Sequence, residues 1–575
     1  MKDQLPNKLS EAMDIGPTSY ESEDRVIIAL DFGTTFSGVA YAFCNPGKKA
    51  EVIPILDWPG QKGYRQPKIP TVILYDPDDL TKFQWGGQVG WRTESVQGVK
   101  LLLDPDQQRP FYLPTGNIKN EIKKLPKEPL DVAADFIGAI YNHALSKIES
   151  ASVKEYFQLC QKQFVLSVPA VWSDKAKDKT LRAAKKAGIH PVTLIKEPEA
   201  AALYTLFNHE RALHPGDAFV VCDAGGGTVD LITYKVVAIS PSLELKELVA
   251  GSGGMAGSFG LNQRFEEAVH NLVGDEQWIE LKKSVGWAKA LNDFDKQSKI
   301  AFKGDSDEDF FINFPKAKLE DNPDENLVSN CWTMSGTDMK GIFDPLVTDI
   351  LRLIDEQVKS ALLKRQGKEL KGIFLVGGFG ASQYLKACVT KAHPDVQVIQ
   401  PDDAWAAIVN RMPNQAVVTS TQATRHYGVS AKCMYEPATD KGRKTMIDKF
   451  DGKTRNTWYI YMGEELKRDQ TIRFPFSRCV KLGYRDSELI FYDELLASDS
   501  KTPPTHPGED AKVSCTLTSD LRKVPKSEFV KRRGVNGIEY YQINFDLVIS
   551  TVAANMKFSL ERAGKEMGSV DARYE

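Results

Sequence analysis

An α/β protein of two related halves, followed by a small strand-only module, is what the sequence predicts, and three observations lead there. Apolar strands alternate with amphipathic helical patterns from residue 25 to about 425. One local pattern occurs twice: an apolar strand ending in Asp, a turn rich in Gly and Thr, then a second strand, with the aspartates at 31 and 223. Beyond about residue 425 only strand-like runs occur. At roughly 100–200 residues per domain, 575 residues correspond to about three to five domains, and 42% apolar side chains suffice for large cores.

The first 24 residues are polar, carry no apolar signal core and are expected to be disordered. From Arg25 the run VIIAL ends at Asp31, Gly33-Thr34-Thr35 makes the turn, and Val39, Tyr41 and Phe43 alternate along the return strand. Leu130, Ala134, Ile137, Tyr141, Ala144 and Ile148 form one helical stripe, and Phe343, Leu346, Ile350, Ile354, Val358 and Leu362 another. Ser173 is suited to cap a helix that Gly188 terminates. The second copy runs FVVC, Asp223, Ala224, Gly225-Gly226-Gly227-Thr228, then Val229, Leu231 and Tyr234, and a third apolar strand, GIFLV, leads into Gly377-Gly378-Phe379-Gly380. The acidic run at 304–310 reads as a solvated loop. In the C-terminal part, Tyr541, Ile543, Phe545, Leu547 and Ile549 share one strand face, which with its neighbours predicts a β-sandwich-like module.

Composition narrows function. With 74 basic and 77 acidic residues the net charge is −3, which does not suit a nucleic-acid binder. Eight cysteines without a CxxC pair suggest free thiols rather than a zinc site or disulfide framework. No run of ~18 apolar residues occurs, so a cytoplasmic or nuclear protein without a membrane span is expected.

A turn that wraps phosphate oxygens needs backbone N–H groups aimed at the anion and no bulky side chain in the way. Gly33-Thr34-Thr35 and Gly225-Gly226-Gly227-Thr228 both qualify. Either alone reads equally as an ordinary hairpin turn; their repetition behind a strand-end Asp favours phosphate. Mg²⁺ on nucleotide phosphates keeps several waters and is held by one or two carboxylates, which gives Asp31, Asp223 and Asp230 a role. Glu197 precedes Pro198 in LIKEPEAAALY, so it stands at a helix mouth where it can orient or deprotonate a water. Other phosphate folds fail: Gly452-Lys453-Thr454 lacks the upstream glycine of a P-loop, the glycine turns lead into strands rather than a dinucleotide-binding helix, and neither HExxH nor G-x-S-x-G occurs.

Taken together, ALDFGTTFSGVAY, VPAVWSDKAKDKTLRAAKKAGI, LIKEPEAAALY, VCDAGGGTVDLITY and GIFLVGGFGAS resemble, in order and spacing, the ATPase domain of the 70-kDa heat-shock protein family, most closely its divergent, shortened 12A-type branch. The resemblance implies the actin-like ATPase superfold, a duplicated ribonuclease H-like unit whose two lobes flank a cleft for ATP or ADP with Mg²⁺. It implies lobe I at 25–213, lobe II at 214–399, a return to lobe I at 400–425, and a substrate-domain-like β module without a helical lid at 426–575. On it, Asp31, Gly33, Thr34, Thr35 and Phe36 fall on the first phosphate motif and Gly225 to Thr228 on the second, with Thr228 at the γ-phosphate. Asp31, Glu197 and Asp223 fall on acidic positions around metal and attacking water. Gly377 and Gly378 lie where adenosine passes, Gly257 on a nucleotide-facing turn, and Asp402 on the ribose side.

Three departures stand out. The segment WGGQVGW, nearest to the family's catalytic-lysine motif, has no lysine, and Lys100 in GVKLLLD is close by without an assigned place. Ala381 stands where relatives carry an adenine-stacking arginine, and FDKQSK keeps only Asp295 and Lys299 of the adenosine-side pattern. The expectation is an ATP-binding, ATP-hydrolysing chaperone whose nucleotide state is coupled to the C-terminal module, with client polypeptides and co-chaperones as partners. The alternatives are a nucleotide-binding regulatory scaffold that hydrolyses little and, more remotely, a small-molecule kinase.

Overall fold

The computed structural model describes residues 24–573 apart from 46–49, 62, 91–94, 106, 108–109, 114–121, 153, 209–212, 402–416, 434–452, 461–464, 468–469, 501, 503, 505–509, 535–536, 553–554 and 563. Its first sheet is built on the hairpin Arg25–Asp31/Phe36–Cys44, paired from Arg25↔Cys44 to Asp31↔Gly38. Gln161–Val168 lies parallel to the first strand and Val192–Lys196 parallel to that. Val26 to Leu30 are buried without alternation, as expected of a strand covered on both faces.

The second sheet repeats this order. Ala218–Ala224 and Val229–Ala238 form an antiparallel hairpin, and Gly372–Val376 runs parallel to the first of these strands, with Val398–Ile399 beyond it. On the other side Glu244–Gly254 pairs with Val229–Ala238. The duplicated pattern of the sequence is thus a duplicated topology.

The helices follow their stripes. Pro129–Ala151 buries Ile137, Ile140, Ala144 and Ile148 under the first sheet, and Gly336–Lys364 buries Phe343, Leu346, Ile350 and Ile354 under the second. Asp174–Lys186 starts where Ser173 accepts the Ala176 amide, and Gly188 beyond it has φ +84°. The third core, with Ile195, Ala202, Leu203, Phe219, Val221 and Phe374, glues the two sheets through helix Glu197–Asn208.

Within residues 400–425, expected as a return to lobe I, Val417–Gln422 pairs parallel with Glu244–Gly254 in the second sheet. Glu465–Lys467 then joins the same sheet at its edge. The C-terminal residues form antiparallel strands from His426–Cys433 to Lys565–Arg573, hydrogen-bonded as one nine-stranded network around Leu495, Cys515, Leu517, Ile543, Ile549 and Leu560. Among the described residues no α-helix follows residue 426 and no helix is long and apolar enough to cross a membrane.

Candidate functional site

The two glycine-containing turns meet tip to tip. A Cβ on Gly226 would stand 2.3 Å from Thr35 Oγ1, and one on Gly227 would stand 2.4 Å from Thr34 Oγ1, so this approach requires glycine at both positions. Gly225 N closes the second turn on Thr228 O at 2.9 Å. Behind it, the amides of Gly257, Ser258 and Phe259 donate to the carbonyls of Gly227, Gly225 and Gly226 at 3.2, 3.0 and 2.7 Å. Those carbonyl dipoles are thereby tied back, which favours an anion on the opposite side of the turn. Gly257 therefore supports the second turn from its far side. Phe36, 39% exposed, opens the first turn's return strand, while Thr34 and Thr228 are buried.

Four carboxylates converge beneath the turns. Asp31 ends one hairpin strand; Asp223 and Asp230 are direct cross-strand partners in the other. Like charges placed opposite one another on a sheet are destabilising, a cost that structural needs alone do not explain. Burial first, and then Asp230 and Asp31, push the Asp223 carboxyl well above the ordinary range, and burial raises Asp230 as well. The Val171 amide donates to Asp230 Oδ1 at 3.0 Å, whereas Asp230 Oδ2 is buried with no hydrogen-bond partner among the described residues. Glu197 opens helix Glu197–Asn208 and is raised by burial against the opposing pull of Lys100.

Two lysines that sequence reasoning left out of the site answer these charges. Lys100, only 3% exposed, donates to Glu197 Oε1 at 2.5 Å and lies 5.6 Å from the centre of the Trp172 ring. The expected absence of a lysine is corrected here: the 3₁₀ turn Val99–Leu103, entered through Gly98 at φ +65°, carries Lys100 into the cleft from beyond the motif where it was sought. A lysine within the apolar run VKLLL was the available signal. Lys68 Nζ donates to Asp31 Oδ2 at 2.7 Å, and Ser167 Oγ donates to Asp31 Oδ1 at 2.8 Å. Burial alone would raise Asp31, but Lys68 and Lys100 outweigh it and hold that carboxyl below its usual range.

At the third glycine-rich segment, Gly377 has φ +83° and its Cβ position lies 2.4 Å from Asp223 Oδ1, so this loop packs directly on the carboxylate cluster. The Cβ direction of Gly378 is open. Lys299 bonds Asp295 and, at 3.0 Å, Asn262 Oδ1 beside the π-helical turn Phe294–Ser298. Asp402 lies outside the described residues.

These features fit a nucleotide polyphosphate with a hydrated divalent metal: two turns that only glycine allows to close, an orphaned carboxylate oxygen, and carboxylates held ready by burial. Among the described residues no three His, Cys, Asp or Glu are grouped to ligate a metal directly. A separate cavity of about 640 Å³ lies across Gly227, walled by Leu101, Leu113, Leu125, Met255 and Phe259. Its apolar lining does not suit a polyphosphate.

Comparison with known proteins gives a consistent picture. Residues 119–408, just over half of the chain, match the family model described as Hsp70 protein. Heat shock 70 kDa protein 12A of Mus musculus is 24% identical, with 83% of each chain covered. Heat shock 70 kDa protein 12B of Homo sapiens is 24% identical over 79% of each chain. Chaperone protein HscA homolog of Acinetobacter baumannii (strain SDF) is 22% identical, covering 70% of this chain and 60% of its own length.

Proposed function

The chain belongs to the Hsp70 family, in its 12A-like branch, and on that premise we propose that it binds ATP and ADP with Mg²⁺ between its two lobes, hydrolyses ATP, and couples nucleotide state to its C-terminal β module. The observation that carries this reading is the Lys100–Glu197 pair, held at 2.5 Å beside Asp31, Asp223 and Asp230 under the two glycine turns.

Each residue has a chemical task. The turns at Gly33–Thr35 and Gly225–Thr228 cradle phosphate oxygens with backbone amides and hydroxyls, and Gly377, Gly378 and Lys299 border adenosine. Asp31 and Asp223 would hold Mg²⁺ through its waters, with Asp230 behind them; the metal supplies charge neutralisation on the polyphosphate. Glu197 orients a water and takes its proton as the water oxygen bonds to the γ-phosphorus and the bond to the bridging oxygen breaks, leaving ADP and phosphate. Lys100 holds the Glu197 carboxylate in place and offers positive charge where phosphoryl charge develops.

Coupling to the β module has a physical route. The turn that carries Lys100 runs into Asp104, which accepts from Ser173 N at 3.2 Å and Ser173 Oγ at 2.9 Å. The next residue, Asp174, accepts from Tyr427 Oη at 2.8 Å, and helix Asp174–Lys186 packs on strand Lys512–Asp520. Arg425, paired with Asp499 at 2.9 Å, sits close to Asp174 and Asp104. Displacement of Lys100 by nucleotide would thus strain contacts that reach the β module, where client polypeptides and co-chaperones are the partners proposed.

Ala381, in place of a stacking arginine, favours a second reading, a regulatory nucleotide-binding scaffold with little turnover. Single-turnover phosphate release separates the two. The ATPase reading expects wild type to exceed Glu197→Gln and Thr228→Ala by about a hundredfold; equal rates in all three chains would leave only the scaffold.

A further inference from the structure

Lys68 is not accounted for by the roles above, yet it stands at the centre of the site. Its ammonium lies 2.7 Å from Asp31 Oδ2, and it also feels the charges of Asp223 and Glu197. Its side chain is 41% exposed, with the ammonium engaged by Asp31. Its position is built. The next residue, Ile69, is fully buried and pairs with Ser37. Thr71 N donates to Thr35 O at 2.8 Å, and the Thr71 and Ser37 hydroxyls are 2.7 Å apart. The short strand Ile69–Pro70, which Lys68 immediately precedes, is therefore fastened to the first glycine-containing turn. Four carboxylates meet two ammonium groups here, and Lys68 takes one oxygen of Asp31, Oδ2.

We propose that Lys68 is a tethered cation of the cleft, which leaves Asp31 for the polyphosphate of a bound nucleoside di- or triphosphate and shares its neutralisation with Mg²⁺. Nucleotide binding in this chain then retains affinity without metal. This rests on the nucleotide reading of the site. An ammonium fixed by the fold carries no cost of capture from solution, and a charge-assisted hydrogen bond to phosphate is among the stronger polar contacts.

The test is calorimetric titration of ADP and ATP into wild type, Lys68→Met and Lys68→Arg, each in excess Mg²⁺ and in EDTA. Lys68→Met is expected to weaken binding by about tenfold in EDTA and by less than about threefold in Mg²⁺, with Lys68→Arg close to wild type. Equal losses in both media, or none in EDTA, would overturn the proposal. Wild type that fails to bind even in Mg²⁺ would overturn the nucleotide site itself and this proposal with it. Should Lys68→Met not fold, acylation of Lys68 in the wild-type chain, read by peptide mass spectrometry in EDTA, decides: ADP should slow it by about tenfold, and unchanged labelling would overturn the proposal.

Discussion

Lys100 and Glu197, 97 residues apart in sequence, meet at 2.5 Å in a pocket where the lysine is 3% and the glutamate 16% exposed. A pair so enclosed is costly to break, because removing one partner leaves the other a buried polar group without its hydrogen bond. Lys100→Met should lower single-turnover phosphate release by about a hundredfold or more while weakening nucleotide binding far less. A rate within twofold of wild type would remove Lys100 from the chemistry.

The same pocket predicts opposite pH trends for rate and stability. Burial pushes Glu197 up to about 8, so a base at this position ionises late and the hydrolysis rate should rise with pH until about that value. Stability runs the other way. The folded chain keeps a proton on Glu197 that the unfolded chain gives up near pH 4.5, so this contribution is complete below that value and is lost as pH rises towards 8. Thermal melts of the ligand-free protein from pH 5 to 8 should show a decline that Glu197→Gln flattens. Parallel curves would contradict the assignment.

A second buried pair joins the sheets next to the site. Lys196, the residue before Glu197, donates to Glu247 Oε2 at 3.1 Å, and Gly251 N donates to Glu247 Oε1 at 3.1 Å. Glu247 is completely buried. Lys196→Met should cost about 3 kcal/mol in urea unfolding, measurable without nucleotide. A loss below about 0.5 kcal/mol would mean the carboxylate had been neutralised another way.

Tyr427 supplies the hydroxyl that joins the C-terminal strands to Asp174. Hydrogen exchange in strand Lys512–Asp520 is expected to differ between ATP- and ADP-bound protein, and Tyr427→Phe should reduce that difference without changing nucleotide affinity. A difference of equal size in the variant would exclude this hydrogen bond from the coupling.

Legibility in the sequence followed the range of each interaction. Hairpin strands, the Ser173 cap and the stripes at 130–148 and 342–362 are local patterns, and the structure has them where periodicity and turn chemistry indicate. Asp31, Asp223 and Glu197 were found because each sits at a strand end or helix mouth. Lys100 and Lys68 were not, since their contacts lie 97 and 37 residues away and depend on how the connections fold over the cleft. The pairing of Val417–Gln422 with Glu244–Gly254 is illegible for a related reason: a parallel partner about 170 residues earlier leaves no short-range mark.

The central claim is that the second glycine turn holds polyphosphate. Calorimetric titration of Mg²⁺-ADP into wild type and Gly226→Asp tests it most directly, because the substitution sets a carboxylate into the turn proposed to hold phosphate and against Thr35. The account predicts binding by wild type and a loss of about a hundredfold or more in the variant, with the fold checked by melting. Equal affinity in the two chains would contradict it.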